Sequence, residues 1–178
     1  MLFNELTDEQ QDKAIGKLWS DEGYWYMVND MLREDTEEEF KTVCEDASDF
    51  EYDYNYRTGG EEGFIFTGVI NYSNIDDFPF ANLVKDKDGI QITFSRSRDS
   101  MYCEIDVDID CDGEGDVDAY TDEEYDKLVD AVENWYQNIC DTMFNYVSEY
   151  VDGCYSKDYF SDFAMANEYQ FDEDGNWL

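Results

Sequence analysis

The chain of 178 residues holds 47 Asp and Glu against 11 Lys and Arg, so 36 carboxylates have no basic counterpart in the sequence and must face water or a partner. Every element of such a chain has to be two-sided, with an apolar face inward and an acidic face outward. The apolar half is ample: 42% of residues are hydrophobic and 17% aromatic, which offsets chain entropy in a way that acidic disordered tails cannot. With one proline and no composition break, a single acidic α+β domain over residues 1–178 is expected.

The charge also excludes partners. Coulomb repulsion opposes approach to nucleic-acid phosphates or an anionic bilayer over a Debye length of about 8 Å, so neither is expected as a direct ligand. Histidine is absent, which removes Ser/His and Cys/His nucleophile pairs and the usual neutral-pH general base. No pair is marked out among the acids for carboxylate catalysis, and the close arginines Arg96 and Arg98 read as balancing charges on a strand. No enzyme activity and no cofactor are expected. Cys44, Cys103, Cys111, Cys140 and Cys154 are widely spaced without a C-x-x-C pair, which suits buried free thiols in a reducing cytoplasm. No basic, apolar leader opens the sequence and no run suits a membrane span, so a cytoplasmic protein is expected.

Periodicity sets the fold class. Thr7 with Gln10 forms a capping box ahead of Ala14, Ile15, Leu18 and Trp19, which predicts a helix over about 8–19. A second helical stretch runs from Tyr24 to Leu32, and Thr36 with Glu39 reads as a further capping box before Phe40, Val43, Cys44 and Ala47. From Glu51 the period changes to two. Tyr52, Tyr54 and Tyr56 lead across the Gly59-Gly60 turn to Phe64–Tyr72, the residues after Asp88-Gly89 form a third strand, and Tyr102–Ile109 a fourth. In the last, Glu104, Asp106 and Asp108 alternate with Cys103, Ile105, Val107 and Ile109, which predicts one carboxylate face and one packed face. Thr121 with Glu124 caps the longest helix, reaching about Val151. A short helix near 157–167 and an extended piece over 168–171 close the chain. The expectation is an α+β fold: a four-stranded antiparallel sheet packed by a long C-terminal helix and N-terminal helices.

Between Glu104 and Glu133 stand 14 acidic residues and one base, Lys127. The candidate partner-binding residues are Glu104, Asp106, Asp108, Asp110, Asp112, Glu114, Asp116 and Asp118, followed on the helix by Asp122, Glu123, Asp126, Asp130 and Glu133. Acids in a first helical turn also favour the helix dipole, and any one of them is accounted for as a solvated face. Their number is not, because far smaller net charge keeps a domain soluble. A monomer of this mass exposes on the order of 9,000 Å², about 250 Å² per net charge, against about 110 Å² on a duplex. Average density is then a little under half that of DNA, and clustering over 104–133 could match it locally.

A metal reading competes on the same residues. Asp108-x-Asp110-x-Asp112-Gly113 opens like an EF-hand calcium loop, and Asp116 stands at position nine. Position twelve is Ala119 where a bidentate Glu belongs, so adventitious divalent binding is the expectation, with Asp108, Asp110, Asp112 and Asp116 as the alternative metal set.

The opening F-x-E-L-T-D-E-x-x-x-x-A (Phe3 to Ala14), the aromatic pair Tyr24 and Trp25, and the closing A-N-E-Y-x-F-x-x-D-G (Ala166 to Gly175) resemble a family of small acidic phage and prophage proteins of poorly defined role. Those motifs read as capping and packing elements, and no functional residue follows from them. Such an origin with duplex-like charge also resembles the DNA-mimic inhibitors, anti-CRISPR and anti-restriction. That resemblance implies a non-enzymatic protein of the infected host's cytoplasm, with the basic nucleic-acid channel of a host defence protein as partner, and a possible homodimer. The alternatives are a calcium-binding interaction module, a halophilic protein whose charge serves solvation, and an antitoxin-like binder of a basic protein.

Overall fold

A computed structural model describes residues 1–44, 50–55, 62–85, 87–96, 101–109 and 119–178. The elements in chain order are α1 (Asp8–Trp19), α2 (Glu22–Val43), β1 (Glu51–Asn55), β2 (Gly63–Asn71), β3 (Gln91–Arg96), β4 (Cys103–Asp108), α3 (Asp122–Cys154) and α4 (Lys157–Ala166). The α+β class and the four-stranded antiparallel sheet are as expected. The chain divides into two compact units, one made of residues 1–36 with 147–178 and the other of 37–146, where the sequence suggests one domain.

In the unit of residues 37–146 the strands lie in the order β1-β2-β3-β4, all antiparallel, so β1 and β4 are the sheet edges. Phe66 sits at the centre of the core, fully buried, with ring centroids 4.3 Å from Tyr136, 5.1 Å from Phe50 and 5.4 Å from Phe40. The last turn of α2 contributes Phe40, and α3 lays Leu128, Val132, Tyr136, Ile139 and Met143 against the same cluster. The Tyr136 hydroxyl accepts from Phe66 N at 3.2 Å and donates to Phe66 O at 2.9 Å, satisfying a buried backbone pair in the sheet. Tyr52 and Tyr54 pack on this core, as the alternation requires, while Tyr56 lies outside the described residues.

In the other unit, Phe3 meets Phe160 edge to face at 4.9 Å and Phe171 at 5.8 Å, with Leu6, Ile15, Leu18 and Val28 around them. Helix α1 packs in this cluster through Ala14, Ile15 and Leu18. Thr7 caps it as the spacing predicts, accepting from Gln10 N while the Gln10 side chain accepts from Thr7 N. The closing segment docks on α1 as a turn: Asp172 Oδ1 accepts from Asp174 N and Asn176 N, Lys17 donates to Asp174 O, and Gln10 donates to Glu173 O. Gly175 adopts φ +74°, and a Cβ there would stand 2.8 Å from Gln10 O. The extended piece expected over 168–171 is confined to a single bridge, Phe171 with Trp177, and Glu168 takes a left-handed φ of 53°.

The capping box read at Thr36 is not one. Helix α2 runs unbroken from Glu22 to Val43, begun instead by Asp21, whose Oδ1 accepts from Gly23 N and Tyr24 N. Thr36 lies mid-helix, fully buried in the stripe Val28, Leu32, Thr36, Phe40, with its hydroxyl unpartnered. The i, i+4 stripe outweighs a local cap match, because burying a face stabilises a helix more than one capping bond does.

Candidate functional site

Strand β4 is an edge strand with an alternating burial pattern, so Glu104, Asp106 and Asp108 are exposed while Val107 is buried and Cys103 and Ile105 are half-buried. Their steps of two residues place carboxylates about 6.8 Å apart. Opposite them on β3 stand Ser95, Thr93 and Gln91, none of them charged.

Helix α3 starts where expected. Thr121 N and Oγ1 donate to Glu124 Oε2 at 3.0 and 2.9 Å, and Glu124 N donates back to Thr121 Oγ1 at 3.4 Å. Lys85 Nζ reaches the same carboxylate at 2.6 Å, and these bonds, Lys85 first, hold Glu124 down at about 2. The helix then runs alongside β4, antiparallel to it. Tyr125 donates its hydroxyl to Val107 O at 2.8 Å, and farther along α3 Glu133, Gln137 and Asp141 border one groove with Glu104. The pKa of Tyr125 is raised, first by burial and then by the negative charges of Asp106, Asp108 and Asp126, on strand and helix.

Around α3 the solvent surface is segregated. Asp126, Asp130, Glu133, Gln137 and Asp141 follow each other at three or four residues and form one exposed stripe, on the flank beside β4. The other exposed flank presents Lys127, Asn138, Thr142, Asn145 and Glu149, a single acid among five residues. Four acids over 15 residues occupy about 22 Å of helix. With the three acids of β4 added, seven carboxylates over about 22 Å give about one charge per 3 Å, a little over half the linear density of a duplex. The whole surface measures 10784 Å², so the average is about 300 Å² per net charge, leaner than the sequence-based figure.

Among the described residues, seven cations form ion pairs with acids outside these two rows. Lys13, Lys41, Lys85, Lys127 and Lys157 pair with Glu9, Glu37, Glu124, Glu123 and Asp12, Arg96 with Asp53 at 2.5 Å, and Lys87 with Asp76. Among the described residues, Glu104, Asp106, Asp122, Asp126, Asp130 and Glu133 have no Lys or Arg partner. Glu123, one of the candidates, is paired with Lys127 at 2.8 Å, a surface contact of small worth.

Asp110, Asp112, Glu114, Asp116 and Asp118 lie outside the described residues, and with them three of the four members of the calcium reading; Asp108 is exposed at the end of β4. Among the described residues no group of three His, Cys, Asp or Glu side chains is placed to hold a metal ion. Asp141, together with Glu62 on the entry to β2, is missed by sequence reasoning, although helical phase from Asp126 points to Asp141. Among the described residues no helix is long and apolar enough to cross a membrane. The chain matches no family model, no curated protein and no solved structure.

Proposed function

We propose that this protein is a non-enzymatic, phage-encoded DNA mimic that acts in the cytoplasm of an infected bacterium by occupying the nucleic-acid channel of a defence nuclease, a CRISPR effector in preference to a restriction enzyme. The observation that carries this reading is the concentration of exposed carboxylates in two rows, Glu104, Asp106 and Asp108 on β4 and Asp126, Asp130, Glu133 and Asp141 on α3, of which Glu104, Asp106, Asp126, Asp130 and Glu133 have no Lys or Arg partner among the described residues. A charge that served only solubility would not gather four acids on the flank of α3 beside β4 and leave the other flank to Glu149 and the Lys127–Glu123 pair.

The chemistry is direct. A nuclease channel places Lys and Arg to meet phosphate oxygens, and carboxylates on a strand and a helix meet the same cations through charge-assisted hydrogen bonds. The rows ride on regular elements packed on one aromatic core, so little ordering is lost on binding. No phosphodiester is offered for cleavage. Approach is steered by long-range attraction and is fast at low salt.

The test is competition: a labelled duplex bound to a defence nuclease is titrated with this protein at about 50 and 200 mM salt. Displacement that weakens steeply at the higher salt supports the reading. Absence of displacement at the lower salt, or displacement indifferent to salt, overturns it.

A further inference from the structure

Between β4 and α3 lies a groove of about 620 Å³, within the size range of pockets that hold small ligands or a few side chains. Its floor is formed by Ile105, Cys103, Cys140, Tyr136 and Phe144. Burial raises both thiols, Cys140 to about 12, so they present neutral, weakly polar surface. Its rim carries Glu62, Glu104, Glu133 and Asp141, and Tyr102, two-thirds exposed, stands at the mouth. Among the described residues Glu62, Glu104 and Glu133 have no basic partner.

We infer that this groove is the specific contact point of the interface and that it receives an arginine-bearing segment of the partner protein, reading arginine in preference to lysine. The inference rests on the proposed function, since the segment belongs to the basic channel that the carboxylate rows attract. An occupant must be cationic to satisfy the rim, yet must tolerate a floor of aryl, thiol and aliphatic groups. A guanidinium does both: it is weakly hydrated, forks onto carboxylates in two parallel hydrogen bonds and stacks flat on aromatic rings such as those of Tyr102 and Phe144. An ammonium is compact and strongly hydrated, and it loses more on entering the same floor. The rows then supply attraction without residue preference, and the groove supplies the preference.

The probe is a short peptide alternating arginine and serine, compared with its lysine counterpart of equal length and charge, titrated into the full chain by calorimetry with backbone NMR shifts recorded in parallel. The arginine peptide is expected to bind about threefold to fivefold tighter, with shifts at Cys103–Ile105 and at Glu133–Phe144. Tyr102→Ala, at an exposed position, is expected to remove most of the arginine preference while leaving the lysine peptide within about twofold, and Glu133→Gln to weaken both peptides, the arginine peptide more. Equal affinity for the two peptides, or shifts confined to the outer stripe at Asp126 and Asp130, overturns the groove assignment while leaving duplex competition to stand or fall separately. Arginine-selective docking without any duplex competition retains the groove and overturns the proposed function.

Discussion

Replacing Asp130 by asparagine removes one charge from the centre of the α3 row at constant shape and nearly constant helix propensity. Its neighbours Asp126 and Glu133 stand one turn away on each side, about 6 Å off, and none of the three has a basic partner among the described residues. In water two like charges at that distance repel by about 0.7 kcal/mol, which screening at physiological salt reduces to about 0.3. Relief of two such pairs stabilises the protein by about 0.6 kcal/mol, rising to about 1 kcal/mol at 0.01 M salt and falling to about 0.2 at 1 M. For a chain of this length the gain in Tm is about 1–3 °C at physiological salt. Thermal unfolding of Asp130→Asn and the parent chain at the three salt concentrations measures it. A variant no more stable than the parent at 0.01 M, or a gain of equal size at 0.01 and 1 M, would refute the claim that the row is held against its own repulsion. A confirmed gain means that the sequence retains a destabilising charge, as binding surfaces do.

Three further outcomes follow from the same structure. Gly175→Ala forces a side chain into φ +74° and drives its Cβ against Gln10 O, so chemical denaturation is expected to show a loss of about 1–3 kcal/mol, and a neutral result contradicts the docked turn. Tyr136→Phe removes both hydroxyl bonds to the Phe66 backbone and is expected to cost about 1–3 kcal/mol, with Phe66 amide exchange accelerated. Burial raises Cys140 to about 12 and also raises Tyr24, Tyr136 and Tyr150, so the unfolded chain releases these protons first. Stability is therefore full below about pH 8.5 and falls as pH rises toward 12, which urea midpoints across that range will show; a flat profile contradicts it.

What could be read from the sequence was what a single element decides. The alternation over Tyr102–Ile109 is legible because burial on one face of a strand imposes period two, and β4 exposes the expected carboxylates. The Thr121 and Thr7 caps are legible because four consecutive residues complete them. The failure at Thr36 is the converse: Thr-x-x-Glu satisfies the local pattern, but Val28, Leu32 and Phe40 place the threonine in a buried stripe that only tertiary packing enforces. The site shows the same division. Counting charge along the chain finds Glu104 to Glu133 and stops there. Helical phase extends the α3 row to Asp141, excludes Lys127 from it, and hands Glu124 to the cap and Lys85. Glu62 belongs to the groove through long-range contact alone, and nothing in its neighbourhood along the chain announces it.

The most direct test of the account compares the parent chain with a variant in which Asp126, Asp130, Glu133 and Asp141 are replaced by their amides, both titrated against a nuclease-bound duplex across a salt series. The account predicts that the variant stays folded, gains stability, and loses competition by at least about tenfold at low salt, with a flatter salt dependence. Equal competition by the two proteins would show that the α3 row is not the binding surface and would contradict the account.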